Sequence, residues 1–494
     1  MSKYIILLPI VFPILMGALL PLFRFRSRKA RNIYVELVTA LTSILAVWMI
    51  FHRPSEDFIV LNLAGELAVM LHIDGLGMVF GALISVLWPF AALYAFEYME
   101  REEKDNAFFS FYTMTFGVTL GIAYAGNLMT MYMFYELLTL VTLPLVMHGM
   151  GKTAVAAGKK YMTYSIGGAA FAFIGFIFVY RLGDTMNFTF GGVFGSAAVA
   201  GKENLLRAVY VLAVLGFGVK AAIFPFHAWL PSAAIAPTPV TALLHAVAVV
   251  KSGAFAIIRI TYYSYGTGLL EGSFAQKIVL GLAAVTILYG SVRAVREPHL
   301  KRRLAYSTIS NLSYIVFGAA LMTPAGMRGG MLHLAAHAFV KIVLFYCAGA
   351  ILHRSGLEYV RDMDGLGKKM PFVTACFFAA GLGLIGLPPM SGFISKWNIG
   401  TAGIAQGSGP AVFGVIAVLI SALLTAVYIF GFLIRACFPA ADGKLPDASG
   451  RTAPSDPSWR MKLPMAVLTA MVLLIGFFAE PISEFLTRVA NGQI

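Results

Sequence analysis

The chain has 494 residues, of which 59% are hydrophobic and 12% charged, with a mean hydropathy of +0.81. A soluble globular domain is about a quarter charged, so this composition excludes one and indicates an all-α polytopic membrane protein. The net charge of +14 does not point to a nucleic-acid partner, because the basic residues sit in short loops between apolar stretches.

Sustained hydrophobicity predicts about fourteen spans, near 4–23, 33–51, 75–99, 107–126, 127–148, 161–180, 205–229, 239–263, 277–293, 303–323, 327–352, 372–400, 410–437 and 463–487. The charges of the first, Arg24 to Arg31, follow it rather than precede it, so it reads as a retained span and not as a cleaved signal. Residues 52–74 alternate polar and apolar side chains, which predicts a small hairpin at the membrane surface. Spans four and five, separated only by Gly126-Asn127, form a tight helical hairpin. The segment 438–462, rich in Pro, Asp, Ser and Gly, reads as a surface loop, and no amphipathic extension is expected after the last span.

Charge tests this topology independently. With the first terminus outside, the inward loops hold about 24 Lys/Arg against about 8 in the outward ones. The expectation is therefore a multi-pass protein with both termini outside, in a prokaryotic inner (plasma) membrane.

Two proline breaks interrupt the spans. In GVKAAIFPFHAWLPSAAIAPTPVTALLHAVAVVKSG (218–253), Pro225 lacks the backbone donor that a helix needs. In Gly386-Leu387-Pro388-Pro389-Met390-Ser391-Gly392, Pro388 and Pro389 do the same. Broken helices persist in a membrane only where freed backbone groups meet protein or a wet cavity. The breaks lie in helices 7 and 12, and an offset of five helices puts two units in opposite orientations, the sign of an inverted repeat. The expected division is 1–106 (helices 1–3), 107–264 (helices 4–8, the first five-helix repeat), 265–437 (helices 9–13, the second) and 438–494 (inward loop and helix 14).

Ionisable residues within the spans are the candidates for function. A charge at mid-membrane costs about 2.5–3.5 kcal/mol on insertion scales, so each calls for a partner or a use. Glu136, in MYMFYELLTL, is a carboxylate inside a clear span. It reads either as a structural or interfacial group or as the partner of a buried lysine. Lys220, Lys251, Lys341 and Lys396 also fall within spans, where a lysine can gain and lose a proton as its environment changes. Arg259, late in span eight, reads as an interface anchor. His333, His337 and Lys341 follow at i, i+4 and i+8, on one helix face over about 12 Å. Such a row suits a proton relay; structural histidines and a two-histidine metal site are the alternatives. His245 and Lys251, six residues apart, would point to different sides of a regular helix.

No other chemistry announces itself. Cys347, Cys376 and Cys437 lie apart in apolar helices without metal or redox spacing. HLAAH lacks the glutamate of a zinc protease, and neither GxGxxG nor a P-loop occurs. The chain is expected to bear no cofactor, no metal and no redox centre of its own.

At these residues the sequence resembles the antiporter-like membrane subunits shared by respiratory complex I, Mrp-type cation/proton antiporters and membrane-bound energy-converting hydrogenases. Four stretches carry the resemblance: KAAIFPFHAWLPSAAIAPTPVTALLHAVAVVKSG (220–253), KRRLAYSTISNLSY (301–314), HLAAHAFVKIVLFYCAGAI (333–351) and GLPPMSGFISKW (386–397). It implies two inverted five-helix half-channels joined by a buried polar chain. Glu136 and Lys220 would form the first switch, His245 and Lys251 the onward link, His333, His337 and Lys341 the central relay, and Lys396 the end of the row. The implied partners are the lipid bilayer, other membrane subunits and protons, with Na+ as a further candidate cargo. Length, the Lys251 position and Lys396 together resemble most an Mrp-type antiporter's D component or its hydrogenase counterpart. A self-contained secondary antiporter is the alternative.

Overall fold

A computed structural model describes residues 3–54, 56–65, 67–438 and 454–494. The chain opens with α1 (Leu8–Leu19) and α2 (Arg28–Phe51), the second started by Ser27, whose hydroxyl accepts the Ala30 N–H at 3.2 Å. An antiparallel hairpin follows, β1 (Phe58–Ala64) with β2 (Leu67–Leu71), where the alternation of 52–74 predicted one. Next come α3 (Gly75–Tyr98), α4 (Asp105–Ala123), α5 (Leu128–Val146) and α6 (Lys152–Leu182). The expected α4–α5 hairpin is present, and Asn127 caps α5 by accepting the Thr130 N–H at 2.8 Å.

After the single turn α7 (Ser196–Val199), α8 (Glu203–Gly218) and α9 (Trp229–Ala233) form the first broken helix. Then follow α10 (Thr238–Ala246), α11 (Val249–Arg259), a π-turn over Ile260–Tyr265 and the short α12 (Thr267–Leu270). Long helices α13 (Phe274–Arg296), α14 (Leu300–Ala320) and α15 (Pro324–Ser355) precede the second broken helix, α16 (Pro371–Ile385) and α17 (Ser391–Gln406). The chain continues through α18 (Gly409–Cys437), α19 (Trp459–Phe477) and α20 (Ala479–Ala490).

Among the described residues, ten helical stretches are long and apolar enough to cross a membrane. The other four expected spans are also helical. Two are the broken pairs α8/α9 and α16/α17, and two are α4 and α14, whose polar residues lower their hydropathy. Two helices stand out by enclosure. The most apolar window of Thr238–Tyr265 is 100% buried and that of Pro324–Ser355 is 94% buried. These innermost helices carry His245, Lys251, His333, His337 and Lys341.

Glycine permits the close crossings around the breaks. A side chain at Gly253 of α11 would overlap the Ala221 backbone, so α11 lies directly on the unwound part of the first broken helix. Gly386 ends α16 in the left-handed region at φ 88°, as helix C-termini favour. Gly392 then stands against the Gly383 carbonyl, leaving no room for a Cβ.

The structure corrects four expectations. The first break begins after Gly218 rather than at Pro225, so Lys220 lies in the unwound stretch and not inside a helix. Span eight is interrupted at Val247-Ala248, so the angular separation of His245 and Lys251 on a regular helix does not apply. Arg259 is no interface anchor: it is 1% exposed and grips Asp74, the N-cap of α3, with its Nη2 at 2.6 Å from Oδ1. An amphipathic helix, α20, does follow the last apolar span, which ends at Phe477. Residues 439–453 of the expected surface loop lie outside the described residues.

Candidate functional site

The site begins where the first broken helix unwinds. The Lys220 ammonium, 1% exposed, donates to the Tyr135 carbonyl of α5 and sits 3.4 Å from the centroid of the Tyr135 ring. Both contacts offer negative potential to a cation, the ring through its π face. Glu136, the next residue, acts on Lys220 through space, but among the described residues no salt bridge joins the two. Glu136 is half-buried, and its Oε1 has no hydrogen-bond partner among the described residues. The expected pair is therefore adjacent but not closed. A shift of the lysine from the Tyr135 carbonyl toward Glu136 would exchange one electrostatic partner for another.

The link to the second half is direct. Lys251 of α11 meets His337 of α15, Nζ to Nδ1, at 2.8 Å, with both side chains buried. When the ammonium donates, His337 accepts at Nδ1 and holds its own proton on Nε2. Transfer of the shared proton leaves a neutral amine and an imidazolium. His333 stacks on His337 with ring centroids 5.7 Å apart, as the i, i+4 spacing predicted. Its Nδ1 lies 2.9 Å from the Ser395 hydroxyl of α17.

Ser395 adjoins Lys396, whose ammonium donates to the carbonyls of Leu384 and Ile385 at 2.7 and 2.8 Å. Those are last-turn carbonyls of α16, which the helix itself leaves without partners. The second break thus creates acceptors, and the lysine of the second half-helix occupies them. Between the two histidines and α16 runs a gap lined by Asn311, His333, His337 and Gly392, too narrow for a water molecule.

Two sequence-predicted residues stand aside from this row. Lys341 turns to α14, donating to the Leu304 carbonyl at 2.9 Å and to the Ser307 hydroxyl. His245 is completely buried, rests against Phe345 at 4.9 Å, and has no hydrogen-bond partner among the described residues at either ring nitrogen. The cations around it are Lys341, Lys301 and Lys251.

Sequence reasoning missed several members. Lys301 is 5% exposed and donates to the Ala236 carbonyl at 2.8 Å, although it looked like a loop charge. Its signal was available, since it opens the stretch 301–314. Tyr135, Ser307 and Ser395 gave none, because neutral polar residues are common in any apolar helix.

Similarity to known proteins extends over most of the chain. Residues 125–425 match the family described as NADH:quinone oxidoreductase/Mrp antiporter, TM. The chain is 31% identical over 437 residues to the N subunit of the NADH-quinone oxidoreductase of Desulforudis audaxviator (strain MP104C), covering 86% of this chain and 83% of that one. It is 26% identical over 494 residues to the D component of the Na(+)/H(+) antiporter of Bacillus subtilis (strain 168), covering 99% and 97%. Its fold is shared with a chain of the Mrp complex from Dietzia sp. DQ12-45-1b, at a TM-score of 0.86 and 21% identity over 99% and 97% of the two chains. A chain of the membrane-bound sulfane sulfur reductase, an archaeal respiratory membrane complex, gives 0.84 at 22% identity over 100% and 98%.

Proposed function

Because this chain belongs to the NADH:quinone oxidoreductase/Mrp antiporter transmembrane family, we propose that it is a proton-translocating, antiporter-like subunit of a multisubunit membrane complex. The observation that carries the reading is the contact between Lys251 and His337, which joins the two innermost stretches through a proton-sharing bond between two buried side chains. An ammonium in an apolar interior is costly unless something there uses or compensates its charge. Here three lysines and two histidines, Lys220, Lys251, His337, His333 and Lys396, line one course, with Lys341 and His245 beside it.

In this reading Glu136 and Lys220 form the input switch, Lys251, His337 and His333 the central relay, and Lys396 the distal end. Lys341, held on α14, biases the centre electrostatically, and His245 stands beside it. Residues 107–264 and 265–437 act as the two inverted half-channels, and fourteen membrane crossings follow from counting each broken helix once. The two ends lie at the lateral surface. Glu136 is only half-buried, and Lys396 lines a cleft of about 530 Å³ with Trp397, Gly400 and Leu419. Charges at lateral edges favour neighbouring membrane subunits over a self-contained transporter. The oxidoreductase and antiporter relatives, each named as one component of a larger assembly, agree with that.

Transport by the reconstituted complex tests the reading. Lys220→Ala and Glu136→Ala should each abolish proton-coupled transport while the complex still assembles. Wild-type transport by either variant would overturn the relay.

A further inference from the structure

We propose that protons reach His245 from the lysine- and arginine-rich face of the protein through a polar cleft and a stripe of hydroxyls on α10. The inference rests on the relay reading and adds an entrance to its centre. The cleft, about 450 Å³, lies at the end of α3 and is lined by Tyr98, Arg101, Glu102, Leu352 and His353. Arg101 ties its two sides together by donating to the His353 carbonyl at 3.2 Å.

At its floor the buried Tyr98 hydroxyl accepts a hydrogen bond from Thr238 at 3.2 Å. Thr238 starts α10. Thr241 follows one turn on, its hydroxyl donating to the Thr238 carbonyl at 3.0 Å, and His245 follows a turn later. Positions i, i+3 and i+7 fall on one helix face, and seven residues rise about 10 Å. The stripe therefore leads from the cleft to a histidine whose ring nitrogens both lack a partner among the described residues.

Three features distinguish this from ordinary packing. Thr238, Thr241 and His245 are each completely buried. An unsatisfied imidazole so placed costs free energy unless it receives a donor or acceptor at some stage of the cycle. Lys301, donating to the Ala236 carbonyl at 2.8 Å, puts a cation beside the same entrance, where it repels a proton that advances too early. The stripe is shut in this conformation. Thr238 packs so closely on Gly349 of α15 that a Cβ at Gly349 would collide with the Thr238 methyl. A small displacement of α10 from α15 would open the row to water.

The test uses the assembled complex in proteoliposomes, with the proton flux driven from each side in turn. Thr241→Val keeps shape and removes the hydroxyl; it should cut flux about 100-fold, the lower end of what a positioned proton-transfer group contributes. Thr241→Ser keeps the hydroxyl and should retain the flux. Equal losses in the Val and Ser variants would mean that packing alone is disturbed, and would overturn the route. So would wild-type flux in Thr241→Val. Lys220→Ala measured alongside separates the two ideas: if it is inactive while Thr241→Val is fully active, only the entrance fails. If Lys220→Ala is fully active, the relay reading fails.

Discussion

Lys251 and His337 show what a single contact can decide. The bond at 2.8 Å is the only hydrogen bond of the Lys251 side chain among the described residues. Removing the imidazole therefore strands the ammonium in the most enclosed part of the protein. His337→Ala should lower transport by about 100-fold, the lower end of what a positioned acid–base group contributes, measured as proton flux in the reconstituted complex. His337→Gln keeps a polar contact for Lys251 but cannot carry a proton, so it should restore thermal stability without restoring flux. A second residue-scale prediction concerns Arg259. Asp74→Asn leaves this buried guanidinium without its counter-charge, and breaking a buried pair costs about 3–5 kcal/mol. The expected outcome is a marked fall in Tm, with partial recovery when Arg259→Met is added. The charged members of these sets were legible because an ionisable residue in an apolar run is conspicuous. Their partners were not. Asp74 lies 185 positions before Arg259 in sequence, at a helix start where an aspartate already has a local use as N-cap.

At the scale of elements, the two breaks are built by different local means. In the second, Gly386 ends α16 in a left-handed turn, and Lys396 returns to the carbonyls that the turn exposes. Gly386→Ala would force a Cβ into φ 88°, costing about 1–2 kcal/mol. It would also place that carbon 2.9 Å from the Lys396 side chain. The variant should show a lowered Tm together with reduced transport, whereas Gly281→Ala, in open space on α13, should change neither. The prolines marked both breaks in the sequence but not where the first begins. Helix α8 stops at Gly218, seven residues before Pro225, because α11 presses its Gly253 onto the chain there. That constraint is tertiary. The interruption at Val247-Ala248 was equally hidden, since hydrophobic periodicity has nothing to report where every side chain is buried. The boundary at Phe478 between α19 and α20 was lost for a related reason: apolar residues continue past the turn, and only the change to a one-sided pattern separates a spanning helix from an amphipathic one.

For the whole molecule, the course of buried charge is asymmetric in its enclosure. Its centre, on α11 and α15, is sealed by surrounding helices, while Glu136 and Lys396 reach the flanks. The helices at those flanks also carry large apolar side chains outward, such as Leu419, Leu423 and Val427 on α18. Lipid can cover such residues, but it cannot supply a counter-charge for a lysine. A neighbouring subunit can supply both. The chain purified alone and placed in liposomes should therefore catalyse no proton-coupled cation exchange, while the complete complex at the same protein density should. Cysteines introduced at Gly400 and Leu419, beside the Lys396 cleft, should form crosslinks to another subunit in the complex. Full exchange by the isolated chain, or free access of lipid-soluble thiol reagents to both positions in the assembly, would favour the self-contained antiporter. The physical ground for expecting otherwise is the distal lysine itself: its two carbonyl contacts leave the third donor of the ammonium without a hydrogen-bond acceptor among the described residues, with only the Tyr314 ring face 5.4 Å away, and an adjacent subunit that supplied an acceptor would turn this end of the proposed relay into a junction.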